Sequence, residues 1–404
     1  MKLFRKLVVL VIIIVGIFFL KGNITGMSIL DVKNIDMPDI NLGEMGLDDI
    51  GIGNNDKKVE IKTVNENINT PDIYFCPKHN CSAVMVDLIK DAKKSVHCAL
   101  FDLDLIELIE VLDEKYNEID YENSKSNKID VKVVVDNDNY EEIEESYGKD
   151  LSVDNNGFVK VDNNNQLTHN KFCIVDNKYV TSGSFNPTIN GNNKNNNNLV
   201  VVQSYYLAEN YEDEFNELWD GYFGKSNKNK QEKVKYPRIE SNNELVIENY
   251  FCPDDNCEEH VLDVLENAKE SVKFMIFSFT SDPIGDKLIE MHNNGIIIEG
   301  VVEKKQNTNK YSEYDKLKNV GIDIQYDNNK YNMHHKNGLQ THYPKSGLLH
   351  HKVFIIDDHI VITGSYNPTA SGTEKNDENI LIIYSDDVAA EFVDEYDLIM
   401  SRNK

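Results

Sequence analysis

Two spacings of apolar residues alternate along most of this chain. Residues 84–93 and 261–269 carry apolar side chains at helical spacing, whereas 96–101, 131–135, 272–277 and 296–302 are short runs rich in β-branched residues. Further on, 199–202 and 380–383 read as strands, each followed by a helix, around 208–219 and 388–400. Strands alternating with helices predict an α/β sandwich. Two stretches keep neither period. Residues 22–72, rich in Asn, Asp and Gly with isolated Ile and Leu, read as a flexible tether, and 224–248, rich in Lys, Asn and Ser, as a linker. At the start, Lys2, Arg5 and Lys6 precede an apolar run over 7–20, followed by Lys21. Residues 1–21 are therefore expected to be a membrane anchor, or a signal segment if cleaved, with the body extracytoplasmic, or secreted in the second case.

The pattern occurs twice. Tyr74-Phe75-Cys76-Pro77 and Cys81 recur as Tyr250-Phe251-Cys252-Pro253 and Cys257, an offset of 250 − 74 = 176 residues, and Ala92, Ser95, Val96 and Phe101 match Ala268, Ser271, Val272 and Phe277 without a gap. A second block, 169–188 against 350–369, lies at 350 − 169 = 181, with His, Lys, Ile, Asp, Val, Gly, Ser, Asn, Pro and Thr kept. A period this long predicts two homologous halves, 73–223 and 249–404, packed as a pseudo-dimer.

Composition narrows the partners. The 404 residues hold 42 Lys+Arg against 69 Asp+Glu, a net charge of −27, so a broad basic face for nucleic acid is not expected. Six Cys are too few for a disulfide scaffold. Cys76 with Cys81, and Cys252 with Cys257, admit a local disulfide, free thiols in a tight turn, or a metal site with His79 or His260, whose spacing does not repeat. Cys98 and Cys173 sit in apolar strands and are expected to be core.

The second repeated block carries the chemistry. It reads His169-x-Lys171, Asp176, then Gly183-Ser184-x-Asn186, and again His350-x-Lys352, Asp357, then Gly364-Ser365-x-Asn367. Two positions apart on a strand, His and Lys leave the same face and converge on one anion. Gly-Ser gives a close turn and a hydroxyl donor, and Asn a neutral amide donor. Two such sets at a pseudo-two-fold axis would surround one phosphate with cations and donors and supply two imidazoles. Asp176 and Asp357, each ending a buried strand, are expected to be structural, with Gly183 and Gly364.

These positions resemble the signature of the phospholipase D superfamily, and the resemblance spans residues 74–401. It implies two α/β/α sandwich halves and a metal-independent phosphodiesterase without a cofactor. One motif His attacks phosphorus to form a phosphohistidine, the other protonates the leaving oxygen, and Lys171, Lys352, Asn186 and Asn367, with Ser184 and Ser365, bind the phosphoryl group. Family members have a carboxylate downstream of each motif that fixes the imidazole. Here Glu378 follows His350, while the matching position, 378 − 181 = 197, is Asn197, and no Asp or Glu occurs between Asn177 and Ala208. The sequence therefore predicts Glu378 behind His350, making His350 the acid and His169 the nucleophile.

Substrate is less determined. Phospholipid hydrolysis or headgroup transfer is favoured by the anchor and the negative charge. A membrane-tethered or exported nuclease is the alternative, and complete motifs argue against a vestigial binding protein. No obligate protein partner is implied. His334-His335-Lys336 imitates the motif, but no Gly-Ser-x-Asn follows, so it reads as loop. The whole stretch 303–347, with eight lysines and five tyrosines, reads as a long loop, either a wall of the substrate site or a solvated face.

Overall fold

A computed structural model describes residues 61–120, 127–162, 165–224, 233–241, 245–327 and 347–403. The expected anchor at 1–21, most of the tether and His334-His335-Lys336 lie outside them. Among the described residues no helix is long and apolar enough to cross a membrane.

The repeat becomes two sheets of the same topology. In the first half the strand order is Asp72–Cys76, Asn197–Gln203, Tyr179–Gly183, Lys171–Val175, Ser95–Leu100, Asp130–Val135, Val159–Val161. The second half repeats it with Val246–Cys252, Glu378–Tyr384, Ile360–Gly364, Lys352–Ile356, Ser271–Ile276, Ile297–Val302 and Asp323–Tyr326. Each motif strand is central and buried on both faces, which is why 171–175 and 352–356 are uniformly apolar after their lysines.

Helices cover both faces. On the outer face of the first sheet, Cys81–Lys90 presents Cys81, Met85 and Ile89 to a core that also holds Val96, Leu108 and Val133. Its N-terminus is capped by Asn80, whose side chain accepts from the Ala83 N–H. In the second half Cys257–Glu266 packs Cys257, Val261 and Leu265 into the matching core, without a side-chain cap. The helices Tyr205–Asp220 and Asp386–Asn403 bury Tyr211, Phe215, Phe392 and Tyr396 in a core shared by both sheets. There Tyr211 meets Phe172 and Phe251 edge-on at 4.9 and 5.0 Å, and Phe75 meets Phe392 at 5.1 Å. The halves are joined through a continuous apolar core, so neither has a solvated face where it meets the other.

Three stretches differ from the sequence expectation. The end of the tether is ordered: Thr63–Asn65 runs parallel to Arg238–Glu240, itself within the expected linker, and the two extend the second sheet to nine strands. Ile68 is buried, and Glu66 accepts from the Tyr205 N–H at 2.7 Å. Isolated apolar residues among polar ones suffice for an edge strand, and that signal was too short to separate from a tether. Second, 303–347 is not all loop, since Tyr314–Asn319 is a helix and Asp323–Tyr326 the edge strand, held by Leu317, Ile322 and Ile324. Third, Cys98 and Cys173 are core, as expected, but are also bonded to each other.

All six cysteines are paired: Cys76–Cys81, Cys252–Cys257 and Cys98–Cys173. Cys98 faces Cys173 across neighbouring antiparallel strands. Phe274 and Phe354 occupy the matching register in the second half, so the repeat carried no sign of the third bridge. Peptide mapping without reduction should recover these three pairs. The Cys98→Ala/Cys173→Ala protein, which loses a cross-link over 75 residues, should unfold with about 4 kcal/mol less stability, against about 2 kcal/mol for either short bridge of separation 5, measured by denaturant titration. Equal losses would show that chain entropy does not set the effect.

Candidate active site

The two motifs meet where the sheets exchange strand ends. Just before the first motif strand, Thr168 bridges to Asp377, and the His169 N–H donates to the Asp377 carbonyl at 3.0 Å. Reciprocally, Leu349 bridges to Asn196, whose carbonyl accepts the His350 N–H at 2.9 Å. Both imidazoles are thereby drawn to one cavity of about 330 Å³. From the first half it is lined by Phe101, Leu167 and His169; the second half supplies Phe277, Ser278, Gln306, His350, Asn367, Thr369 and Asn376.

Each imidazole is held from behind by the opposite half. His169 Nδ1 lies 2.8 Å from Glu378 Oε2, whereas His350 Nδ1 lies 2.8 Å from Asn197 Oδ1 and 3.1 Å from the Ser184 carbonyl. This corrects the expectation that Glu378 backs His350. Strand Ile360–Gly364 stands between Lys352–Ile356 and Glu378–Tyr384, which puts the carboxylate of a half two strands, or about 10 Å, from its own histidine. The strand-end exchange brings the other half's residue into contact instead.

The same exchange governs the next layer. Asn379 Nδ2 donates to Asn170 Oδ1 at 2.7 Å, and Asn198 Nδ2 lies 3.1 Å from His351 Nδ1. Ser182 donates to Asn379 Oδ1 at 2.7 Å and Thr363 to Asn198 Oδ1 at 2.9 Å. Ser184 and Ser365 each accept a backbone N–H, from Asn198 and Asn379, at 3.0 Å. Their hydroxyls brace the residues behind the imidazoles and do not line the cavity, contrary to the phosphate-binding role expected of them. Gly183 and Gly364, at φ 122° and 140°, let the backbone pass so close to the Asn198 and Asn379 carbonyls that a Cβ would collide.

Both motif lysines are buried. Lys171 Nζ donates to the His169 carbonyl at 2.6 Å; Lys352 Nζ reaches the His350 carbonyl at 2.8 Å and His350 Nε2 at 3.2 Å. With its Nδ1–H given to two oxygens and its Nε2 receiving a lysine proton, the His350 tautomer is defined. Asn367 lines the cavity, and its counterpart Asn186 does not; each buries an amide oxygen without a hydrogen-bond partner. Asp176 takes up the backbone N–H groups of Lys93, Lys94 and Ser95, and Asp357 those of Lys269, Glu270 and Ser271, so both carboxylates fix the entry to a central strand. Among the described residues no group of three or more His, Cys, Asp or Glu side chains is arranged to hold a metal ion.

Sequence reasoning overlooked two aromatic residues. Phe101 meets the His169 ring edge-on at 4.9 Å and lies 5.0 Å from Lys171 Nζ; Phe277 repeats this with His350 at 4.7 Å and Lys352 at 4.9 Å. Each ring fixes its histidine and offers a π face to the lysine. The signal was present, since Phe101 and Phe277 match in the ungapped repeat.

Comparison with known proteins gives a consistent picture. The family described as "Cardiolipin synthase, PLD-like domain" matches twice, over residues 85–219 and 261–400. A mitochondrial cardiolipin hydrolase from Chlamydomonas reinhardtii is 27% identical over 143 residues, 35% of this chain and 57% of that protein. A phospholipase D from Rickettsia bellii (strain RML369-C) is 24% identical over 171 residues, 42% of this chain and 77% of that one. Among solved structures, the phosphatidylserine synthase of Haemophilus influenzae Rd KW20 superposes with a TM-score of 0.56 at 14% identity, covering 81% of this chain and 86% of the other, a likeness of fold.

Burial and mutual repulsion set the charge state of the site. Desolvation, then Lys171 and Lys352, hold the His169 imidazole well below its usual value, and desolvation followed by the two lysines does the same for His350. Lys171 is lowered to about 7 by burial, against the pull of Glu378, and burial raises Glu378 to about 8 while the lysines oppose it. An anion entering the cavity would favour the charged forms of lysine and imidazole and recharge the site. Glu378 holds its proton more tightly in the folded protein than in the unfolded chain, so folding stability falls as pH rises from about 4.3 to about 8. Glu378→Gln should remove that slope: its melting temperature should match the native protein near pH 4 and exceed it at pH 8. Parallel melting curves across that range would contradict the burial account.

Proposed function

The chain belongs to the phospholipase D-like family whose model covers both of its halves, and from that premise we propose that it is a phosphodiesterase acting on phospholipid headgroups through a phosphohistidine. The observation that carries this reading is the convergence of His169 and His350 on one cavity, each with Nδ1 held by the opposite half. His169 is the nucleophile. When its Nε2 attacks phosphorus the ring becomes cationic, and Glu378, ionised as the lysines recharge around the bound phosphodiester, accepts the Nδ1–H and offsets that charge. His350, backed by a neutral amide, gives up a proton more readily and serves as the acid for the leaving alcohol; it then takes a proton from the water, or acceptor alcohol, that releases the phosphoryl group. The roles are those expected from the sequence, on the opposite ground, since the carboxylate belongs to His169. Lys171 and Lys352 balance the phosphoryl charge, and Asn367, which lines the cavity, offers its neutral amide as a donor.

Phospholipid is favoured over nucleic acid because the net charge of −27 repels a long polyanion. The cavity also combines Phe101, Phe277 and Leu167 with Ser278, Gln306, Thr369 and Asn376, uncharged donors and acceptors suited to a small headgroup. Export is supported by the three disulfides, which persist in oxidising compartments.

Full-length protein in EDTA should release headgroup from liposomes and leave single- and double-stranded DNA and RNA intact. Cleavage of nucleic acid alone would replace the substrate, and activity that requires an added divalent ion would remove the mechanism. His169→Ala should abolish turnover and covalent phosphoenzyme together. His350→Ala should slow natural substrates by about 10²- to 10⁴-fold and a p-nitrophenyl ester much less, because a good leaving group needs no proton. Mass spectrometry of the trapped intermediate should place phosphate on His169; phosphate on His350 would reverse the roles.

A further inference from the structure

We propose that the body of the protein docks on an anionic bilayer through a rim of loops around the active-site cavity, an inference that rests on the phospholipid reading above. The first half supplies an apolar patch. Phe101 and Asn186 lead into two loops tied together: the Asp104 and Leu105 N–H groups donate to the Pro187 carbonyl at 3.2 and 3.3 Å, and the Ile189 N–H donates to Asp104 Oδ1 at 2.5 Å. Each loop ends by exposing an isoleucine, Ile106 at 45% and Ile189 at 52%. Exposed side chains of this size, on loops that lead away from the cavity-lining Phe101, bury favourably in acyl chain and gain nothing from water.

The second half supplies charge. The strand Ile297–Val302 runs into residues 304–312, which hold Lys304, Lys305 and Lys310 and no acidic residue, in a chain whose net charge is −27. This loop packs on the cavity wall: Gln306 lines the cavity, the Phe279 N–H donates to Asn307 Oδ1 at 3.1 Å, and the Glu313 N–H donates to the Phe279 carbonyl at 3.1 Å. All three lysines are exposed, and Tyr311, 68% exposed, lies under Lys310 Nζ at 4.7 Å. Acidic side chains near the patches are partly neutralised by neighbours: Glu313 is buried and held by Lys316 at 3.0 Å, while the exposed Asp282 pairs with Lys316 at 3.2 Å and the exposed Glu107 accepts from Ser82 at 2.8 Å. Apolar side chains on one lip, with lysines and an exposed tyrosine on the other, match the acyl and headgroup layers of a membrane bearing anionic lipid. Phospholipid then enters the cavity without leaving the bilayer.

Two measurements on the full chain test this. Turnover is compared on vesicles containing about a third phosphatidylglycerol and on a short-chain phospholipid dissolved as monomer. Ile106→Asp/Ile189→Asp, and separately Lys304→Glu/Lys305→Glu/Lys310→Glu, should lower the ratio of vesicle to monomer turnover at least about ten-fold. Ile297→Asp, at the opposite end of its sheet and 62% exposed, should leave the ratio unchanged. An unchanged ratio in the rim variants, an equal fall with Ile297→Asp, or rim substitutions that only dissociate a self-associated protein would overturn the proposal.

The second measurement is independent of catalysis. The sequence holds one tryptophan, Trp219. Ile189→Trp should add fluorescence that brominated acyl chains quench in anionic vesicles, and less in zwitterionic ones, while Ile297→Trp should not be quenched. Quenching at 189 without any phospholipid turnover would retain docking and overturn only the proposed activity. Turnover without quenching would do the reverse.

Discussion

The hydrogen bond between His169 Nδ1 and Glu378 joins residues 209 positions apart and belongs to neither half alone. It exists because the strand ends are exchanged: Thr168 pairs with Asp377 and Asn196 with Leu349, so each motif histidine sits against the first residue of the other half's Glu378–Tyr384 or Asn197–Gln203 strand. Much of the site follows from this constraint. The cavity is shared, the Asn170–Asn379 and Asn198–His351 contacts repeat about the same axis, and the helices that close the central core serve both sheets.

Such a site is held against its own electrostatics. Two lysines, two imidazoles and a carboxylate are buried within one cluster, and each is driven toward its neutral form. Left to themselves these groups would favour water. They are kept in place by the double-sided apolar burial of strands Lys171–Val175 and Lys352–Ile356, by the Cys98–Cys173 bridge two residues beyond Lys171, and by Asp176 and Asp357 anchoring the neighbouring central strands. A phosphodiester anion relieves the repulsion among the cations, which makes binding and charging of the site one event.

Much of this was legible in the sequence. The ungapped repeat gave two α/β sandwich halves, and the spacing of His, Lys, Asp, Gly, Ser and Asn placed both motifs on central strands. What was not legible depends on contacts between the halves or on a departure from the repeat. Spacing along one half assigns Glu378 to His350, because a linear pattern contains no information about which strand ends are exchanged. Cys98 and Cys173 are core, as their apolar strands indicated, but their pairing left no sign in the repeat because Phe274 and Phe354 stand in their place in the other half. Residues 63–65 and 314–326 were read as tether and loop because an edge strand or a single turn of helix offers too few apolar positions to form a period. Phe101 and Phe277 were visible as matched residues, but only their contact with the imidazoles gives them a role.

The exchange can be observed directly in the side-chain ¹⁵N and ¹H resonances of histidine in selectively labelled protein, which report tautomer and hydrogen bonding at each ring nitrogen. With His169 and His350 assigned, Glu378→Gln should move the Nδ1 signals of His169 and leave those of His350 in place, while Asn197→Asp should do the converse. A Glu378→Gln change felt at His350 and not at His169 would mean that each half completes its own site, and would contradict the account.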